Sequence, residues 1–316
     1  MNSVVCTLFE GHYHYGLAAL INSLYKHGFK GDFYAGYRGE LPIWAKSGKK
    51  ETLFHWQDCT TLSVAKGQHI HFIPLNVNYH FCNYKPDFVI ELSSNLGEHV
   101  SGIFYFDPDI VIKCRWSFYE EWLNLGVPVV HEITNNDMPQ THPIRQIWTN
   151  VIKNNGLEVK TNICSYLNSG FFAVKKADIG FAHLFKKFVE VSQQDYKMDL
   201  TDFTFELDRS NPFFAKDQDA FNIAAMCTDA AISEYGPEGM DLTSGGKLMS
   251  HAIGTPKPWK KKYFRHFLKG SPPTMADREY WNNVNDAIKL YSEPQLKMAR
   301  IELQLASFLG RFYRKY

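Results

Sequence analysis

Asp107 and Asp109 stand two residues apart at the end of the apolar run Ile103-Phe104-Tyr105-Phe106, with Pro108 between them. Carboxylates so placed offer oxygens to a hard divalent cation such as Mg²⁺ or Mn²⁺, and such a cation can bridge to a diphosphate. The same residues also make an ordinary polar turn closing a strand. Three later segments add to them. Tyr166-Leu167-Asn168-Ser169-Gly170 opens an apolar run with small polar groups. It is either a plain turn or a place where a ligand approaches the backbone and Asn168 meets sugar hydroxyls. Lys216-Asp217-Gln218-Asp219-Ala220-Phe221-Asn222 opens a helix, where acidic groups commonly cap or complement the dipole. In His251-Ala252-Ile253-Gly254-Thr255-Pro256-Lys257-Pro258-Trp259, an imidazole able to ligate a metal and an ammonium come within reach of one anion.

These segments need a scaffold, and the pattern around them provides one. Val4 to Phe9 is an apolar run of strand length, followed by Glu10-Gly11-His12-Tyr13. Leu17, Leu20, Ile21 and Leu24 then recur at helical spacing, with Gly28 at a C-cap position. Strands are expected over 32–37, 70–73, 103–106, 127–130 and 171–174, and helices over 86–96 and 177–191. The polar segment 134–163 reads as loop and short helix. Strand, helix, strand in that order gives right-handed parallel units and an α/β fold. Asp107 and Asp109 then lie outside the carboxyl end of a strand, where open α/β sheets hold ligands.

At 45% apolar and 21% charged residues, the 316-residue chain is globular rather than disordered. Its net charge of +1 supplies no global field for nucleic acid, which is not an expected partner. No apolar run reaches the ~18–20 residues of a membrane-spanning helix. The first residues lack the basic and apolar regions of a secretory leader, and six scattered cysteines without a C-x-x-C pair read as reduced thiols, so a cytoplasmic setting is expected. His12 and His14, like His69 and His71, are two apart, but no further ligand accompanies them, so surface or loop roles are expected. The first strand is followed by no G-x-G-x-x-G, which disfavours a dehydrogenase.

Taken in order, the four segments resemble the family-8 glycosyltransferases, the group that includes glycogenin and the bacterial lipopolysaccharide galactosyl- and glucosyltransferases. The matches are Phe106-Asp107-Pro108-Asp109, Asn168-Ser169-Gly170, Asp217-Gln218-Asp219 with Asn222, and His251, Gly254 and Lys257-Pro258-Trp259, within a likeness running from about Ser3 to Trp259. The resemblance implies a GT-A fold, Rossmann-like, with a mixed, mainly parallel sheet flanked by helices. It also implies a nucleotide-sugar donor (usually a UDP-sugar), a Mn²⁺ or Mg²⁺ ion, a glycan or lipid-linked saccharide acceptor, and retention of anomeric configuration. On the family's pattern Asp107, Asp109 and His251 are the metal ligands, and Lys257 and Gly254 sit on the diphosphate. Asn168, with Ser169 and Gly170, joins Asp217 and Gln218 around the donor sugar, Gln218 nearest the anomeric carbon. On the chemistry of the residues, Asp217 or Asp219 is expected to orient Gln218 or the sugar; on the family's pattern Thr7 and Tyr13 fall where uracil and ribose are held. The chain departs from the pattern where many members carry an acidic residue and an arginine. Here the segments read Phe9-Glu10-Gly11-His12-Tyr13 and Asn83-Tyr84-Lys85-Pro86-Asp87, with Lys85 replacing the arginine as a point charge.

Other classes use the same residues. Residues 104–111 look like the strand-end nucleophile motif of haloacid-dehalogenase-like phosphatases, although that motif normally opens a chain. A glycan- or nucleotide-binding module without catalysis has no need of the acidic pair with His251. An inverting transferase would draft Asp217 or Asp219 as its base. The domain reading is a catalytic unit over 1–262, its donor half about 1–115 and its acceptor half about 116–262, followed by a C-terminal extension over 263–316. In that extension Met298, Ile301, Leu305, Phe308 and Phe312 form one helical stripe, and Arg300, Gln304, Ser307, Arg311 and Arg314 follow on another face. This is the pattern of a basic amphipathic helix lying peripherally on the inner face of a membrane. It is equally that of a terminal helix docked on the catalytic core or on a second subunit of a homo-oligomer.

Overall fold

The computed structural model describes residues 2–206, 208 and 210–312; Arg314 therefore lies outside the described residues. The first apolar run forms β1 (Ser3–Glu10), and a 3₁₀ turn over Gly11–Tyr13 leads into α1 (His14–Lys26). β2 (Gly31–Arg38) returns parallel to β1, with Glu10 opposite Arg38. Two strands without an apolar signal follow, β3 (Lys49–Leu53) and β4 (Trp56–Ala65), paired antiparallel; β4 then pairs with β5 (Gln68–Pro74). They sit at the sheet's edge, which lets them keep polar, partly exposed side chains.

The next helix, α2 (Phe81–Asn95), starts five residues before Pro86, not at it. His80 caps it by accepting the Cys82 N–H at 3.3 Å, and Pro86 is carried inside at the loss of one backbone bond. The difference matters because it puts Lys85 on the helix. β6 (Gly102–Phe106) ends at Asp107, and the short β7 (Ile110–Ile112) follows the aspartate turn. Beyond it come α3 (Trp116–Leu123), β8 (Val127–His131), the twelve-residue α4 (Pro143–Asn154), β9 (Leu167–Asn168), β10 (Phe171–Val174), α5 (Gly180–Tyr196), α6 (Lys216–Cys227), β11 (Ile232–Tyr235) and β12 (Met249–His251).

The main sheet has the order β10-β6-β1-β2-β5-β4-β3. β6, β1, β2 and β5 run parallel, while β10 lies antiparallel to β6. The chain builds outward from β1 through β2 to β5, then returns to the other side of β1 as β6. That reversal leaves a crevice at the carboxyl ends of β1 and β6, where Glu10 to Tyr13 and Asp107 to Asp109 emerge. Both sheet faces are buried. Val4, Cys6, Leu8, Ile103 and Tyr105 pack in the same core as α2, α5 and α6, and Val5, Phe9, Phe104 and Phe106 in that of α1 and α3. This is the mixed, mainly parallel, helix-flanked architecture expected from the resemblance.

The C-terminal segment forms α7 (Tyr263–Leu268), α8 (Met275–Asn283) and α9 (Glu293–Leu309). Tyr263, Trp281, Leu296 and Leu303 pack with Ala19 of α1 and Val111 of β7. A buried amide fastens the segment: Asn22 of α1 donates to the carbonyls of Asn283 and Ile288 and accepts the Ile288 N–H at 2.8 Å. α9 docks through Leu296, Leu303 and Ala306, whereas the stripe Met298, Ile301, Leu305, Phe308 and Phe312 is left exposed, 45% at Ile301 and 78% at Phe312. Among the described residues no helix is long and apolar enough to cross a membrane.

Candidate metal and donor site

The aspartate turn is fixed from three sides. The Asp107 N–H donates to the Gly170 carbonyl at 2.7 Å, and the Tyr105 hydroxyl donates to Asp107 Oδ1 at 3.0 Å. β7 and β12 pair with His251 opposite Ile110, which seats the imidazole beside both carboxylates. His251 Nε2 lies 3.3 Å from Asp109 Oδ1 and 3.9 Å from Asp107 Oδ2. One ligand atom from each of the three residues falls within 4.8 Å of the others. His251 Nδ1 is buried and has no hydrogen-bond partner. Two carboxylate oxygens and an imidazole nitrogen form a donor set that suits Mn²⁺ or Mg²⁺. Gly170 lets the turn close on this set, since a Cβ there would lie 2.6 Å from His251 Cε1 and 3.0 Å from Asp107 Oδ2.

Two buried lysines balance the acids. Lys257 donates to Asp109 Oδ2 at 2.5 Å and to the Ala252 carbonyl at 2.7 Å, so its ammonium rests on the acidic cluster. Burial acts to raise Asp109, but Lys257 and His251 outweigh it and hold the carboxyl well below its usual range. Lys85 Nζ reaches Asp107 Oδ1 at 3.1 Å, Asp217 Oδ2 at 3.2 Å and the Ser169 carbonyl at 3.2 Å. Burial dominates at Asp107 and keeps it above the ordinary carboxyl value despite Lys85. Glu10 is paired on the neighbouring strand, its Oε2 lying 2.6 Å from Arg38 Nη2.

The remaining predicted residues divide. Ser169 Oγ donates to Asp217 Oδ2 at 2.7 Å, and Gln218 Oε1, on a half-buried side chain, accepts weakly from the Ser169 N–H at 3.4 Å. Asn168 is pinned, donating to Glu132 Oε2 at 2.7 Å and accepting the Gly170 N–H at 2.8 Å. The Tyr13 ring centroid lies 5.7 Å from Lys257 Nζ and packs edge-on against Trp259. Gly254 sits in an exposed turn with φ +77°, where a glycine is favoured. Thr7, by contrast, is fully buried with its hydroxyl donating to the Phe106 carbonyl at 2.6 Å, so it braces β1 to β6 and is closed to a ligand. Asp219 turns from Gln218 to the helix start, accepting from the Tyr166 hydroxyl at 2.7 Å and the Ala215 N–H at 2.6 Å. The residue reading missed Glu132 and Gly16. A Cβ at Gly16 would lie 2.4 Å from the Pro108 carbonyl oxygen, so only glycine lets α1 meet the aspartate turn; no local signal marks either residue.

Asp219 makes a prediction about pH. Burial pushes its carboxyl from 3.8 up to about 7, against the pull of the Ala215 N–H and the Tyr166 hydroxyl. The folded state then keeps a proton that the unfolded chain gives up. That stabilisation is complete below the unfolded value and is lost as the pH rises through about 7. Asp219→Asn is expected to flatten this part of the profile in urea denaturation between about pH 4 and 8. Equal slopes for variant and wild type would mean that Asp219 stays ionised.

No family model matches this chain, and no curated protein matches its sequence. Solved structures do match its fold. The chain is similar to the galactosyltransferase LgtC in complex with donor and acceptor sugar analogues, with TM-score 0.54 and 12% identity over 95% of this chain and 100% of that one. It is also similar to the glycosyltransferase GlyE of Streptococcus pneumoniae TIGR4, with TM-score 0.53 and 12% identity over 100% of this chain and 65% of that one. At this identity the likeness is one of fold.

Proposed function

We propose that this chain is a divalent-metal-dependent glycosyltransferase of the family-8 kind, moving a hexose from a UDP-sugar to a glycan or lipid-linked saccharide with retention. The observation that supports the reading is the cluster of Asp107, Asp109 and His251, with Lys257 against it, at the carboxyl end of the central strands. These three residues would hold the ion, which when bound supplies positive charge to the departing diphosphate. Lys257 adds a second positive charge beside that position and stabilises the phosphate oxygens as they leave. Lys85 and Ser169 fix Asp217, which then presents an oriented carboxylate to the sugar hydroxyls. The Gln218 amide favours the oxocarbenium-like sugar through its oxygen. Tyr13 offers a ring face to the base. Residues 1–262 carry the reaction, and the exposed stripe on α9 supports peripheral attachment at the inner face of a membrane.

The test is release of UDP from a panel of UDP-hexoses in Mn²⁺, abolished by EDTA and increased by a glycan acceptor. Gln218→Ala is expected to lower turnover by about 10²-fold while donor KM stays within a few-fold, because the amide acts near the reacting carbon. NMR of the product reads the anomer. A β-linked product from an α-linked donor would favour the inverting alternative, and phosphate release from a generic phosphoester would favour the phosphatase.

A further inference from the structure

The second face of α9, with Arg300, Ser307 and Arg311, is not spent on the core. Together with Arg278 of α8 it lines a cavity of about 340 Å³ between the two helices, with Trp281 and Phe308 as apolar walls. Among the described residues no acidic side chain lines this cavity. Arg300 is held in place by donating from Nε and Nη2 to the Trp281 carbonyl at 3.1 and 2.9 Å, and among the described residues its other N–H groups are unspent. Among the described residues the arginines paired with a carboxylate are Arg38 and Arg115, and Arg278 and Arg311 are not among them. Three guanidinium groups around one hollow repel one another. An anion with several acceptor oxygens relieves that repulsion, and the planar guanidinium fork matches phosphate oxygens. Phe308 also belongs to the exposed stripe, so the cationic cavity and the apolar surface meet at that ring.

We infer that the α8–α9 cavity binds a phosphate-class anion, as a phosphoester or diphosphate, outside the Asp107–Asp109–His251 cluster. The inference does not depend on glycosyl transfer. Two sources share this chemistry, a lipid headgroup beside the stripe and a soluble phosphoester.

The full chain is titrated with inorganic pyrophosphate by calorimetry and sedimented with vesicles of phosphatidylcholine, with or without phosphatidic acid, EDTA being present throughout. Saturable binding is expected in at least one arm. Arg278→Gln and Arg311→Gln are each expected to weaken it about tenfold. Lys297→Gln removes the same charge from an exposed position of α9 outside the cavity and is expected to leave affinity within about twofold. Binding to pyrophosphate alone supports a soluble phosphoester. Binding that requires phosphatidic acid in the vesicle, and that pyrophosphate competes away, supports a lipid headgroup. Absence of binding in both arms overturns the inference, as does equal weakening by Lys297→Gln or none by the two arginine variants.

Discussion

Asp109→Asn is expected to lower transfer by about 10³-fold and to abolish Mn²⁺ binding measured by calorimetry. The side chain keeps its shape and one oxygen, so what is lost is a negative charge at a position shared by His251 and Lys257. That charge matters to the fold as well, because Lys257 is buried and Asp109 is its carboxylate partner. Removing one member of such a pair leaves the other uncompensated, so the variant is expected to unfold at lower urea, still in one transition. The double variant Asp109→Asn with Lys257→Met separates the two effects. It removes the stranded ammonium and is expected to recover much of the stability but none of the activity. Full activity in Asp109→Asn, or in wild type freed of metal by EDTA, would falsify the metal-dependent reading.

Why the acidic pair was legible and its surroundings were not follows from distance along the chain. Asp107 and Asp109 announce themselves because a continuous apolar strand stops at them. His251 and Lys257 were found only through the order of the segments. What brings them to the aspartates is the ladder of β7 and β12, three residues each and too short to show a period. Glu132 is invisible because its partner Asn168 is 36 residues away. The helix expected over 86–96 starts instead at Phe81, where His80 provides the cap and Pro86 is carried inside. On α9 the apolar stripe was read correctly as a stripe, but not which face would dock. The buried face, Leu296, Leu303 and Ala306, carries fewer large apolar side chains than the exposed stripe, and amphipathicity alone points to the latter.

Lys85→Met is expected to cost about 3–5 kcal/mol in urea denaturation at neutral pH and to reduce transfer by more than about 10²-fold. Lys85 is 4% exposed and joins four parts of the fold: its own helix α2, Asp107 after β6, Ser169 between β9 and β10, and Asp217 at the start of α6. Methionine nearly matches its volume, so packing is kept and the loss is electrostatic. Asp107 and Asp217 then share a buried site with no ammonium between them. Burial raises Asp107 even with Lys85 present, so little reserve remains when the counter-charge goes. The Tyr105 ring, with its centroid 5.6 Å from Nζ, cannot replace it. Lys160→Met is the control. Lys160 reaches Asp229 at 2.7 Å, a shorter contact than any Lys85 makes, yet the two side chains are 44% and 86% exposed. Water screens that pair, and its loss is expected to stay within about 1 kcal/mol. Lys85→Arg keeps the charge and is expected to restore part of the stability, limited by the room for a planar fork. Equal costs for Lys85→Met and Lys160→Met would show that the buried network is not what holds the aspartate turn to α6.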